Sequence, residues 1–116
     1  TGNHNTVIGY QTFGAATTAT YCTAVGAYAL DAAVTGNSNS ALGYAALGSH
    51  TTGTNNSAFG VNTLASNTTA DENCAFGVQG LFATVKSPDI VALAIVLPPF
   101  SRSAKSLARV IIRPPT

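Results

Sequence analysis

The chain has 116 residues, of which only 8% are charged, and its formal net charge at pH 7 is +1. Soluble domains usually carry about 25% charged residues, so this surface must depend on Asn, Thr and Ser for its solubility. The length fits a single small domain, and the longest apolar run, residues 90–97, is shorter than the roughly 18 residues of a membrane span, so no span is predicted.

A repeat of 17 residues runs along the first part of the chain. A glycine recurs at this interval, each time after a large apolar residue, at Gly9, Gly26, Gly43, Gly60 and Gly77. Four positions before each glycine stand Asn5, Cys22, Asn39, Asn56 and Asn73, and four positions after it stand Phe13, Leu30, Leu47, Leu64 and Leu81. A column of threonines follows nine positions after the glycines, at Thr18, Thr35, Thr52 and Thr69.

Units of 17 residues are too short for helical repeats, which need about 30 to 45 residues. Their β-branched residues and their Gly, Asn and Thr clusters favour strands and turns. We therefore predict an all-β fold, a parallel β-solenoid (β-roll) in which each repeat is one coil. The first strand of a coil reads Asn-[Ser/Thr]-Ala-apolar-Gly, a second runs through the Leu column toward the Thr column, and residues 35–39 and 52–56 form corners.

The first strand alternates between large and small side chains. In the third copy, Ser40, Leu42 and Tyr44 lie on one face, and Asn39, Ala41 and Gly43 on the other. Neither face is charged, which is typical of a strand that is covered on both sides. We predict that neighbouring chains cover the small-residue face, giving a homotrimer or homopolymer. The alternative is a monomeric solenoid of two sheets with a polar outer sheet.

These repeats resemble the head repeats of trimeric autotransporter adhesins of the YadA type, and related arrays in bacteriophage tail fibres. The resemblance rests on "GNHNTVIGYQTFG", "GNSNSALGYAALG" and "TNNSAFGVNTL" and covers roughly residues 1–84. It implies left-handed parallel β-rolls of three chains packed about one axis, in an extracellular adhesive head at a cell surface or on a virion. This sequence departs from the pattern in its longer period and in Cys22, which replaces the Asn of the second copy.

The array changes character near its end. The sixth glycine of the series would fall at residue 94, where the chain has Ala94, and we predict a degenerate last coil that Pro98-Pro99 ends. Residues 103–110 form either a short amphipathic helix or part of an extended tail. Because the chain begins within a repeat, we expect it to be a segment of a longer protein.

The charges divide the chain at the same place. Residues 1–84 carry three acidic and no basic residues, whereas residues 85–116 carry one acidic residue and all the basic ones, Lys86, Arg102, Lys105, Arg109 and Arg113. We predict a five-coil array over residues 1–84, and a capping coil with a basic tail over residues 85–116. The basic residues are sparse and are not interleaved with aromatics, so no nucleic-acid binding is predicted.

Few residues are candidates for chemistry. Cys22 and Cys74 lie three coils apart, about 14 Å by ladder spacing, too far for a disulfide within the chain. We expect His4 and His50 on the surface, with a metal-holding ring around a threefold axis as the alternative. Asp71 and Glu72 point to opposite faces of a strand. The sequence contains no catalytic motif, and we predict no cofactor, no metal and no enzymatic activity.

The sequence thus predicts a structural and adhesive segment of an extracellular or virion fibre, presenting ladders of Asn, Thr and Tyr to a glycan or a host-surface receptor. One alternative is a subunit of a self-assembling extracellular filament. A more distant one is an ice-binding β-solenoid, since the threonine column forms a ladder. Its doubled threonines, at Thr17, Thr51 and Thr68, are adjacent to the column, however, and adjacent residues on a strand face opposite ways.

Overall fold

A computed structural model describes residues 2–33 and 35–78, together with the backbone of two later strands at 90–95 and 107–112. Each of the first five copies forms one short strand: β1 (Thr6–Ile8), β2 (Thr23–Val25), β3 (Ser40–Leu42), β4 (Ser57–Phe59) and β5 (Cys74–Phe76). The later strands are β6 (Ile90–Ile95) and β7 (Leu107–Ile112). All seven belong to one sheet, in the order β1-β2-β3-β4-β5-β6-β7.

The repeat period sets the register of the sheet. Strands β1 to β5 are parallel, and each residue pairs with the one 17 positions later, as Ala41 pairs with Ala58. Equivalent residues therefore lie in columns along the sheet, with a spacing of about 4.8 Å. The predicted β-solenoid of 17-residue coils is confirmed.

The predicted second strand of each coil is wrong for the described copies. The segments after the glycines, such as residues 44–49, form turns. In the third copy Ala45 and Leu47 have φ angles of 53° and 52°, in the left-handed region. A strand cannot contain residues in this conformation. Left-handed residues at every second position bend the chain back across the coil. Burial holds it there, because Leu30, Leu47 and Leu64 are fully enclosed.

The interior of the coil receives the small face of each strand. Ala24, Ala41, Ala58 and Ala75 are at most 1% exposed, and they form the core with the buried leucines. The prediction that neighbouring chains cover the small face is therefore wrong, because the protein's own coil covers it. Leucines approaching from the opposite wall fill the narrow interior, which leaves room on the strand side only for alanine and asparagine.

The large residues of the strands point outward instead. In β3, for example, Leu42 is 48% exposed, whereas its neighbour Ala41 is 1% exposed. This inverted orientation determines which surface the solenoid offers to other molecules.

The sheet ends differently from the way it begins. Strand β6 continues the parallel register, since Cys74 pairs with Val91, and β7 then pairs with β6 in the antiparallel sense. The helix considered for residues 103–110 is wrong where the structure describes this segment, because Leu107–Ile112 is a strand. Leu81, Pro98-Pro99 and the predicted boundary between residues 84 and 85 lie outside the described residues.

Candidate functional site

On the outward side of the strands, Thr6, Thr23, Ser40, Ser57 and Cys74 form a column of small, mostly polar side chains. Beside it, the large side chains at the strand ends and two positions beyond them form an apolar surface, which we call the outer apolar face. It consists of Ile8, Val25, Leu42, Phe59 and Phe76 in one column and Tyr10, Tyr44, Val61 and Val78 in the next. Exposed fractions reach 62% for Ile8 and 68% for Tyr10. Large apolar side chains exposed next to one another commonly mark contact sites, so this face is the strongest candidate for a contact surface.

Aromatic contacts order the outer apolar face. Tyr28 packs edge to face against both Tyr10 and Tyr44, with ring centroids 5.7 Å apart in each pair. Phe59 and Phe76 stack in parallel at 4.8 Å. Such contacts between rings favour defined geometries, so the face is a packed surface with a fixed shape.

A second surface lies on another side of the coil, where the threonine column is exposed. Thr18, Thr35, Thr52 and Thr69 all lie at bends and all point to solvent. Their hydroxyl groups make no hydrogen bond to any described residue. Within the described part of the chain these hydroxyls therefore hold no structural contact, and they are available to a ligand.

A ladder of asparagines supports this surface from inside. Asn39, Asn56 and Asn73 are at most 1% exposed. The Nδ2 of Asn56 donates to the Oδ1 of Asn39 at 3.1 Å, and the Nδ2 of Asn73 donates to the Oδ1 of Asn56 at 3.1 Å. The Nδ2 of Asn39 also donates to the carbonyl of Gly53 at 2.9 Å, in the segment next to Thr52. The ladder thus fixes the backbone of the threonine column.

Cys22 interrupts the asparagine ladder. Its Sγ lies 3.4 Å from the carbonyl of Gly36, at the place where Asn39 donates to Gly53. Burial raises the pKa of this thiol, so it stays protonated and acts as a weak donor. Both cysteines are free thiols.

Replacing Cys22 with asparagine is expected to stabilise the protein by about 1 kcal/mol, the net contribution of a typical buried hydrogen bond. The new Nδ2 replaces the weak thiol donor to Gly36, and the new Oδ1 can accept from the amide of Asn39. Urea unfolding measures the change, with Cys74→Ser as the control for loss of a thiol. A Cys22→Asn variant less stable than the wild type would contradict the proposed ladder geometry.

His50 is buried, which corrects the prediction of a surface histidine. Its Nε2 lies 2.7 Å from the carbonyl of Gly53, and its Nδ1 has no hydrogen-bond partner. In the next coil Asn67 occupies the same position and binds Ala70 through both its amide atoms. Burial lowers the pKa of His50, and the carbonyl of Gly53 and the charge of Asp71 oppose this shift less strongly.

The stability of the protein is therefore expected to fall as the pH falls below 6.5, the ordinary pKa of histidine. In this range the unfolded chain takes up a proton at residue 50 and the folded chain does not, so the slope is at most about 1.4 kcal/mol per pH unit. Urea unfolding between pH 7.5 and about 5 measures it. His50→Asn introduces the residue found at the equivalent position 67, so it should keep the bond to Gly53. The variant should lose the dependence of the unfolding free energy on pH; an unchanged pH dependence would assign it to another group.

The remaining candidates do not form a chemical centre. His4 is exposed and stacks on Tyr21 at 5.0 Å. Within the described ranges no group of three His, Cys, Asp or Glu side chains could hold a metal ion. A hollow of about 380 Å³ opens at the β1 end of the coil, lined by Gly2, Asn5, Val7, Thr12, Phe13 and Ala16. None of these residues titrates near neutral pH.

Sequence reasoning missed the outer apolar face, although a signal for its position was present. The Asn column and the Ala column share one face of the strand, since Asn39 and Ala41 are two positions apart. Equivalent asparagines of successive coils can form hydrogen bonds to one another, which satisfies their amides inside a protein. This face could therefore have been recognised as the interior.

Comparisons of the chain with protein-family models, with curated proteins and with solved structures gave no match. Of the residues that the structure describes, none belongs to a helix long and apolar enough to cross a membrane.

Proposed function

We propose that this protein is a structural and adhesive segment of an extracellular or virion fibre, in which several copies, most simply three, associate through the outer apolar face. The observation that carries the proposal is the exposure of this face on a chain with very few charges. An adhesive role agrees with the resemblance of the repeats to YadA-type heads and phage tail-fibre arrays, which is a likeness of sequence motifs.

The outer apolar face has the properties of an interface. Its central residues, Leu42 and Tyr44, are 48% and 52% exposed, and no charged side chain lies in either of its two columns. Burying such a surface against a second copy gains about 25 cal/mol per Å² of apolar area. A threefold arrangement around an axis that runs parallel to the solenoid, beside the outer apolar face, lets every chain bury the same face.

The polar columns then remain for attachment. The threonine column and the exposed left-handed corner residues, such as Tyr21 and Asn55, lie away from the outer apolar face. Three copies of each ladder would bind a repetitive surface by avidity, which exceeds single-site affinity by about 10² to 10⁴. This is the basis for proposing glycans or a host-surface receptor as partners.

Glycan arrays and coated surfaces test the adhesive role. The full chain is compared with Leu42→Asp, which places a charge in the outer apolar face, and with Ser49→Asp, which places the same charge at an exposed site elsewhere. We expect the wild type and Ser49→Asp to bind, and Leu42→Asp to lose binding by about 10²-fold or more through loss of avidity. A wild-type chain that associates but binds no glycan or surface would contradict the adhesive role.

A further inference from the structure

The threonine column has a partner column two residues further along the chain. The pairs are Thr18 with Thr20, Thr35 with Asn37, Thr52 with Thr54 and Thr69 with Asp71. The residue between each pair is buried: Ala19, Gly36, Gly53 and Ala70. The exposure alternates in each copy, with a buried residue between two outward ones, so both members of each pair lie on the outside of the coil.

Two parallel files of side chains therefore cover one side of the solenoid. Backbone hydrogen bonds join successive coils there, from the amide of Ser38 to the carbonyl of Thr20 at 2.9 Å and from Asn55 to Asn37 at 3.1 Å. Along each file the spacing is about 4.8 Å, and the files lie at most about 6.7 Å apart, the span of two residues of fully extended chain. The surface is thus a two-dimensional lattice.

The interior holds this lattice in place. The Nδ2 groups of Asn5, Asn39 and Asn56 each donate at 2.9 Å to the buried carbonyl between two paired residues, those of Ala19, Gly53 and Ala70. In the second file, Asn37 accepts from both the amide and the hydroxyl of Thr20, at 2.8 and 3.0 Å. Asp71 does the same for Thr54.

The first file offers threonine in every described copy, with a methyl group and a hydroxyl that has no partner among the described residues. A β-branched side chain has few χ1 rotamers, so these groups are already ordered before binding, which lowers the entropic cost of recognition. Of the eight paired residues only Asp71 is charged, and it lies at one end of the files. The first file is thus an ordered, uncharged column of threonine hydroxyl and methyl groups, and the second file beside it consists of Thr20, Asn37, Thr54 and Asp71. A column of this kind matches ordered water.

We propose that the two files form an ice-binding surface. The spacing along the files is close to the repeat of water oxygens in hexagonal ice, and the methyl groups order water between the hydroxyls. The inference rests on the proposed adhesive role and names the surface to which the threonine ladder attaches.

Partition into slowly growing ice and inhibition of ice recrystallisation test the proposal with the full chain. We expect the wild type to enter the ice phase and to keep ice crystals small. Thr35→Tyr combined with Thr52→Tyr disrupts the two central pairs. The replaced threonine side chains make no hydrogen bonds to described residues, so the change alters the surface, and it should abolish both effects. The control, Ala15→Tyr combined with Ser49→Tyr, adds the same bulk at exposed positions on another side and should retain both effects.

Circular dichroism establishes that each variant is folded, and Thr52→Lys replaces the double variant if that one does not fold. A wild type excluded from ice overturns the inference, as does ice binding that survives the threonine substitutions. Binding to crystalline chitin or cellulose without binding to ice would assign the files to polysaccharides. Absence of ice binding in a chain that associates and binds glycans overturns this inference alone and leaves the proposed function standing.

Discussion

Replacing Asn56 with alanine is expected to destabilise the protein by about 2 to 6 kcal/mol, because two buried groups lose a partner and each such group costs about 1 to 3 kcal/mol. The side chain of Asn56 donates to the carbonyl of Ala70 at 2.9 Å, and its Oδ1 accepts the amide of Asn73 at 3.0 Å. In the variant, the amide and the Nδ2 of Asn73 would both lose the Oδ1 of Asn56 as acceptor, and the carbonyl of Ala70 would keep only the longer bond from the Nδ2 of Asn67, at 3.3 Å. The loss is a large fraction of the roughly 5 to 15 kcal/mol that stabilises a typical domain.

Urea unfolding followed by circular dichroism measures the effect of Asn56→Ala. The matched control is Asn62→Ala, since the side chain of Asn62 makes no hydrogen bond to a described residue and Ala45 fills the same position one coil earlier. We expect the control to change stability by less than about 1 kcal/mol. Equal effects of the two substitutions would show that the interior ladder contributes nothing specific.

Gly43→Ala is expected to have a comparable or larger effect. Gly43 has a φ of 132°, and a Cβ at this position would lie 2.5 Å from the carbonyl oxygen of Gly60 in the next coil. Backbone strain of this kind costs about 1 to 3 kcal/mol, and overpacking costs a similar amount. The predicted loss is therefore about 2 to 6 kcal/mol.

Gly48→Ala is the matched control, because the nearest atom to its added Cβ would be the carbonyl oxygen of Ala45 at 3.2 Å, and Ala65 fills the same position one coil later. Thermal unfolding of both variants distinguishes them. A Gly43→Ala variant as stable as Gly48→Ala would mean that successive coils are not in the close contact that the structure shows.

The sequence predicted the register of the solenoid well, because a strict period leaves one way to stack equivalent residues. The pairing of Ala41 with Ala58 follows from the spacing of Gly43 and Gly60. The turns after the glycines could not be predicted in the same way. Leu47 has a preference for ordinary helical or extended backbone, and its left-handed conformation is imposed by burial against the neighbouring coils.

The identity of the inner face was harder to infer because hydrophobicity alone assigns it wrongly. Leu42 is more apolar than Ala41, yet Ala41 is inside and Leu42 outside. The deciding factor is the volume enclosed by a coil of 17 residues, which Leu47 already fills from the far wall. His50 was misassigned for a related reason, since the glycines beside it, Gly36 and Gly53, make room for a buried ring.

The same geometry separates the two outer surfaces. Small and amide side chains bring the walls of the coil together, so large apolar residues such as Leu42 remain outside, where they can contact other copies. The asparagine ladder, with Asn39 at its centre, fixes the backbone from which Thr52 reaches solvent. Association and surface attachment are therefore proposed for different sides of one coil. Thr52→Lys should weaken attachment without changing association, whereas Leu42→Asp should remove association and, with it, the avidity of attachment.

The mass of the protein in solution tests most directly whether the outer apolar face is an interface between copies. Light scattering over a dilution series should give the mass of three chains for the wild type and for Ser49→Asp, and that of one chain for Leu42→Asp. A wild type with the mass of one 11.7 kDa chain at every concentration would contradict association through the outer apolar face and, with it, the proposed fibre.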